Sequence, residues 1–210
     1  MSNKPILVFI GCFIVIYGVL ITPWPGWNEI YGQYFRSLAG WVFGRDEGGL
    51  VVTFKAHVMN HGFSTLGTQM ILGNRYLIDS AGNGTVREVE LDTRSIGWVP
   101  TALTIALIAA SPIPWKRRIM ALLIGLVLVH LFILFSLQVE IWDEYPALSL
   151  ATFSPWFQRI LDELDYTLLT QIGASFSVPV IIWALVTFCG RDAALFKSAA
   201  SDTRAEQQPG

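Results

Sequence analysis

The sequence predicts a membrane α-helical protein with four transmembrane helices, a small extracytoplasmic β-rich insertion between helices 1 and 2, and interfacial amphipathic helices. Three observations support this prediction. Of the 210 residues, 53% are hydrophobic and only 14% are charged, whereas soluble domains carry about 25% charged residues. Several apolar runs approach the roughly 20 residues that cross a bilayer. A polar, glycine-punctuated segment rich in strand-forming residues separates the first two runs.

Residues 1–22 are predicted to form transmembrane helix 1. The run PILVFIGCFIVIYGVLI, from Pro5 to Ile21, carries no charge and is followed by a Trp/Pro cluster typical of a membrane interface. A cleaved signal peptide is the alternative, but no small-x-small cleavage site follows Ile21. We therefore expect the first helix to be retained.

Residues 23–97 are predicted to form an extracytoplasmic region with an interfacial helix and a β-rich part. Aromatic and aliphatic residues recur at helical spacing from Trp27 to Val42, as in a helix that lies in the headgroup layer; an aromatic platform for a ligand is the alternative. Three strands are predicted at residues 50–58, 68–78 and 86–96, the last two joined by a turn at Asn83-Gly84. About 50 residues give only a small core, so the sheet is expected to pack against the membrane helices or against a partner protein.

Residues 98–189 are predicted to hold transmembrane helices 2–4. The runs Trp98–Trp115 and Ile119–Val139 are joined by the basic turn Lys116-Arg117-Arg118, which predicts a helical hairpin. An extracytoplasmic loop at 140–166 with a short surface helix precedes the last run. The polar residues 190–210 are predicted to form a disordered cytoplasmic tail.

The distribution of charge predicts the orientation in the membrane. Basic residues outnumber acidic ones in the segments assigned to the cytoplasm, and the reverse holds outside, so the amino and carboxyl termini are both expected to be cytoplasmic. The lipid bilayer is the first predicted partner, and a net charge of −2 with scattered basic residues argues against nucleic acid. Five tryptophans are interpreted as interface anchors: Trp24, Trp27, Trp41, Trp98 and Trp115.

Two residues are candidates for a functional role. His130 lies near the centre of the third run, where an ionisable side chain is costly; it either forms a hydrogen bond between helices or serves proton transfer, cofactor ligation or catalysis. Arg94 precedes the second run and offers a planar fork of donors to a phosphate or carboxylate. Alternatively, Arg94 contacts lipid headgroups or pairs with Asp92.

The sequence predicts no catalytic residue, no cofactor and no metal site. Glycine-flanked nucleophile motifs, phosphate-binding glycine loops and paired-cysteine motifs do not occur. His57 and His61 are four residues apart, but the predicted strand ends near His57 and His61 lies in the turn that follows, and a metal site normally requires a third ligand. Two solvated histidines are therefore the preferred interpretation.

The stretch from Gly73 to Phe135 resembles the membrane proteins that accompany exosortases in bacteria, which sort proteins at the cell envelope. Gly97-Trp98-Val99-Pro100 and Trp115-Lys116-Arg117-Arg118 match the entry into a span and the basic turn of that pattern. The resemblance implies a non-enzymatic accessory or scaffold subunit in the bacterial cytoplasmic (inner) membrane, with a membrane protein as partner. Exosortases themselves use an embedded cysteine, arginine and histidine, a set that Cys12 and His130 do not reproduce. The alternative function is a membrane enzyme or small-molecule carrier that uses His130.

Overall fold

The computed structural model describes residues 4–44, 48–59, 65–77, 85–166 and 173–188. These residues form six α-helices and one three-stranded antiparallel sheet. The predicted Asn83-Gly84 turn, His61 and the tail at 190–210 lie outside the described residues. The helices are α1 (Lys4–Ile21), α2 (Trp27–Phe43), α3 (Val99–Ala110), α4 (Trp115–Asp143), α5 (Pro155–Asp165) and α6 (Gly173–Phe188), and the strands are β1 (Leu50–Met59), β2 (Thr65–Asn74) and β3 (Val86–Leu91).

The prediction of a small sheet is confirmed, with strand order β1-β2-β3. The register sets Val52 opposite Leu72, and Thr68 opposite Leu91, so alternation places these side chains on one buried face. Helix α2 packs on the sheet and buries Phe35 and Ala39. The opposite face carries polar and charged side chains: Lys55, His57, Gln69, Glu88 and Glu90.

Helix α4 is 29 residues long and packs on α3 along its length and on the sheet at its carboxyl end. At its carboxyl end, Leu137 and Ile141 are 1% exposed and belong to the same hydrophobic cluster as Val52 and Leu72 of the sheet. Arg87 of β3 also forms an ion pair with Glu144, with Nε 2.8 Å from Oε2. The end of α4 is therefore part of the core of the sheet.

Helices α1 and α4 both pack on α3. Gly125 of α4 allows a close approach, because a Cβ at this position would lie 2.6 Å from Cδ1 of Ile108 on α3. The outward sides of α1 and α4 are apolar and exposed: Ile6, Leu7, Ile10, Ile14 and Val15 on α1, and Ile119, Leu123, Val127, Leu131 and Phe135 on α4.

The prediction of four transmembrane helices is wrong. Among the described residues, only α4 is long and apolar enough to cross a membrane, and only 28% of its most apolar window is buried. The apolar helices Ile6–Ile21, Arg94–Ala110 and Gly173–Phe188 are shorter than 18 residues. The run Trp98–Trp115 misled the prediction because its last residues are extended: Ser111 leaves the helix at ψ 137°, and the prolines that follow cannot donate backbone hydrogen bonds.

The boundaries of two other predicted regions also differ from the structure. The loop assigned to 140–166 begins inside α4, which continues through Asp143. The strand predicted at 86–96 ends at Leu91, and Arg94–Trp98 form one turn of π-helix that leads directly into α3. The second apolar helix therefore begins next to the sheet, with no linker between them.

Candidate functional site

The side chain of Arg94, from the turn before α3, contacts the carboxyl end of α1 and donates to its backbone. Its Nη2 donates to the carbonyl of Ile21 at 2.9 Å. The indole Nε1 of Trp98 donates to the carbonyl of Leu20 at 3.0 Å, and that of Trp24 donates to Val19 at 2.9 Å. Three of the carbonyls that a helix end leaves without intrahelical partners are thus satisfied by long side chains.

Asp92 shapes the same turn without pairing with the Arg94 guanidinium. Its Oδ1 accepts a hydrogen bond from the backbone N–H of Arg94 at 3.0 Å. The adjacent cavity, lined by Arg94, Thr93 and Trp98 among others, has a volume of about 20 Å³, which is the space of about one water molecule. The geometry assigns Arg94 to capping α1, and the cavity beside it is too small for a lipid headgroup.

An aromatic cluster holds α2 against this end of α1. The ring of Trp98 lies 5.1 Å from Tyr31 and 5.6 Å from Trp27, in edge-to-face and tilted arrangements. Burial raises the pKa of Tyr31, and a hydrogen bond to Thr101 opposes that effect in part. Gly97 fits beneath Tyr31 because it has no Cβ; an added Cβ would lie 2.6 Å from the phenol oxygen.

His130 forms a hydrogen bond within its own helix. Its Nδ1 lies 2.7 Å from the carbonyl of Leu126, and because a carbonyl only accepts, Nδ1 carries the proton. The ring meets Tyr34 of α2 edge-on, with 5.8 Å between centroids. His130 lines neither the cavity at Arg94 nor the two cavities described next. The hydrogen bond thus lies within α4, whereas the sequence had suggested one between helices, and His130 contacts α2 through the ring of Tyr34.

The largest of these cavities lies at the opposite end of the helices, beside the basic turn. It has a volume of about 520 Å³ and is partly open. Its walls come from the start of α1, the extended α3–α4 connection, the start of α4 and the end of α6: Ile6, Phe9, Ser111, Pro112, Ile113, Pro114, Arg117, Trp183, Thr187 and Phe188. We name this space the basic-end cavity.

Hydrogen bonds fix the polar parts of the basic-end cavity. Trp183 Nε1 donates to Ser111 Oγ at 2.7 Å, and Arg117 Nη2 donates to the carbonyl of Thr187 at 2.7 Å. Arg118 donates to the carbonyl of Ser111 at 3.0 Å and lies over the ring of Trp115. The sequence offered a signal for this site, a tryptophan in an otherwise aliphatic run, but its pairing with the basic turn required the fold.

A third cavity, of about 200 Å³, lies between α2, β1 and the carboxyl end of α4. Val52 and Ile141 line it, together with the amide of Gln138. None of the described residues that line this cavity is charged. It marks a gap in the packing between the sheet and α4.

The five tryptophans interpreted as interface anchors divide into two groups. Trp24, Trp27 and Trp98 take part in the contacts at the end of α1 described above. Trp41 and Trp115 are 72% and 69% exposed, against 51% for Trp24 and 39% for Trp27, so these two present the largest share of their surface to the surroundings. They lie on α2 and at the first residue of α4.

His57 lies on the polar face of the sheet, where Nε2 is 3.2 Å from Oε1 of Glu90. Among the described residues, no group of three His, Cys, Asp or Glu side chains is placed to hold a metal ion. Comparison with protein-family models, with curated proteins and with solved structures found no match to this chain.

Proposed function

We propose that this chain is a non-enzymatic accessory subunit that holds a small sheet at the surface of a bacterial cytoplasmic membrane, where a partner membrane protein docks. One observation carries the proposal. Helix α4 presents an apolar, largely exposed surface over most of its length, and its carboxyl end belongs to the core of the sheet.

The exposure of α4 supports a lipid surrounding. A core helix of a soluble protein with this composition buries most of its surface, whereas only 28% of the apolar window of α4 is buried. The outward sides of α4 and α1 each expose a row of large apolar side chains, which water disfavours and hydrocarbon tolerates.

The charges at the two ends of α4 support an orientation. Lys116, Arg117 and Arg118 lie in its first turn, whereas Glu140 and Asp143 lie in its last. By the positive-inside rule, the basic end is cytoplasmic and the sheet lies outside. The exposed Trp115 marks the cytoplasmic interface of this arrangement.

The polar face of the sheet is the proposed docking surface. A three-stranded sheet has two edge strands, and its outward face bears Lys55, Gln69, Glu88 and Glu90, away from α2 and α4. His130, the residue on which the alternative enzyme or carrier function depends, is engaged by Leu126 and Tyr34, and no observation favours that alternative. A link to an exosortase remains a prediction.

The experiment has two parts. The full chain should remain in the membrane fraction after washes with high salt and urea, and mild detergent should extract it together with a stable protein partner. Lys55→Glu, an exposed change on the sheet, should weaken that partner's co-purification, whereas the matched charge reversal Arg159→Glu on the exposed side of α5 should not. Release by the washes, or a monodisperse protein with no partner, would contradict the proposal.

A further inference from the structure

We infer that the basic-end cavity is a binding site for an anionic phospholipid, with one acyl chain in the cavity and the phosphate held by Arg117. This inference rests on the membrane location proposed above. It adds a ligand and a site that the docking function does not require.

The size and lining of the cavity fit an acyl chain. Its volume of about 520 Å³ is within the range of about 300–1,000 Å³ typical of small-molecule sites. Phe9 and Trp183 stack at 5.8 Å with an interplanar angle of 22°, and Phe188 meets Trp183 edge-on at 5.5 Å. These rings form a continuous apolar wall.

The connection between α3 and α4 adds a second apolar wall. Pro112 and Pro114 carry no backbone N–H, so the loop presents few polar groups to the cavity. Ser111 is the polar exception, but its hydroxyl donates to Leu107 and accepts from Trp183. The hydroxyl of this wall is thus already paired, and an apolar occupant does not leave it unsatisfied.

The charge of the cavity favours an anion. Among the described residues that line the cavity, Arg117 is charged and none is acidic. A guanidinium has five N–H donors, and the hydrogen bond to Thr187 uses Nη2 alone. Lys116 is exposed next to Arg117. Arginine binds phosphate oxygens in a fork geometry, and a neighbouring lysine adds a second positive charge.

The surroundings of the cavity favour a lipid over free phosphate. Trp115, next to the basic pair, is 69% exposed, as expected at a headgroup layer. Ile6 lines the cavity and is 59% exposed, so the apolar wall continues onto the outer surface of α1. A lipid with its phosphate at Arg117 and an acyl chain along Phe9 occupies both the charged and the apolar part of the cavity. Inorganic phosphate would occupy the charged part alone.

The test is retention of added lipid by the full chain in mild detergent, measured by native mass spectrometry with phosphatidylglycerol and phosphatidylcholine as probes. Phosphatidylglycerol should be retained in preference. Arg117→Gln should weaken its retention about tenfold, from the loss of a charge-assisted hydrogen bond, and Arg159→Gln, the same change at a remote exposed position, should not. Equal retention of both lipids, or equal effects of both substitutions, would overturn the inference, as would loss of the bound lipid on adding inorganic phosphate.

A second variant separates lipid binding from folding. Ile113→Trp fills the apolar part of the cavity and removes no hydrogen bond of a side chain, so it should reduce lipid retention while the melting temperature stays close to that of the parent. Unchanged retention would exclude the cavity as the site.

A photoreactive benzophenone amino acid at position 6 identifies the occupant directly. A cross-link to phospholipid is expected, and a cross-link to residues 189–210 or to another protein would refute the inference. A chain that stays in washed membranes but retains no lipid contradicts this inference alone, whereas a chain released from membranes contradicts the proposed function as well.

Discussion

Replacing Leu137 with alanine tests whether α4 and the sheet share one core. Leu137 is 1% exposed within the cluster that joins them, whereas Leu131, six residues earlier on the same helix, is 56% exposed. Truncation of a buried leucine costs about 3–5 kcal/mol, from lost transfer free energy and the cavity left behind. The same truncation at Leu131 should change stability by about 0.5 kcal/mol or less, because lipid or detergent tails replace the missing contacts.

The assay is thermal unfolding of the full chain in detergent micelles, followed by tryptophan fluorescence. For a chain of this size, 1 kcal/mol shifts the melting temperature by about 2–4 °C, so Leu137→Ala should lower it by roughly 6–20 °C and Leu131→Ala by less than about 2 °C. Hydrogen exchange should show lost protection in β2 for Leu137→Ala only. Equal losses in the two variants, or unchanged protection of β2 in Leu137→Ala, would refute the shared core.

Three further predictions concern the end of α1 and its aromatic cluster. Gly97→Ala should cost about 1–3 kcal/mol by overpacking against Tyr31, while Gly40→Ala, with nothing within 4 Å of its added Cβ, should be neutral or stabilising in a melting experiment. Burial raises the pKa of Tyr31 in the folded protein, so the stability that neutral Tyr31 contributes is complete below the ordinary tyrosine pKa of about 10 and is lost as the pH rises above it. The melting temperature of Tyr31→Phe should therefore fall less steeply than that of the parent between about pH 9 and 11.5. An unchanged pH profile would contradict this. Arg94→Met removes the side-chain donor to the carbonyl of Ile21 and should therefore speed amide hydrogen exchange in the last turn of α1. An unchanged exchange rate would show that Arg94 does not cap this helix.

The sequence predicted local structure better than the packing of its elements. Alternating residues in β1 and β3, and the uninterrupted apolar run of α4, correctly indicated strands and a long helix. The apolar residues of α2 were harder to interpret, because they lie on two sides of the helix. Phe35 is buried against the sheet, whereas Ile30 and Trp41 are exposed. Periodicity shows that a helix has apolar residues, but it does not show what each one faces.

The sites were beyond sequence reasoning because their partners are distant in the chain. Arg94 was singled out as a possible anion-binding residue, but its acceptor, the carbonyl of Ile21, is 73 positions away. The contact between Arg117 and Thr187 spans 70 positions. Every residue has a backbone carbonyl, so the residue types in a sequence do not show which carbonyl accepts a hydrogen bond from an arginine.

The packing of the carboxyl end of α4 into the core of the sheet has a consequence for binding thermodynamics. A domain on a flexible tether samples many orientations and loses that freedom when it docks, which weakens the complex. Here Leu137 and Ile141 belong to the same core as the sheet, so in the membrane arrangement proposed above the tilt of the sheet relative to the bilayer is set before a partner docks. A partner in the same membrane would then lose less orientational freedom on binding, and a smaller contact area is expected to suffice.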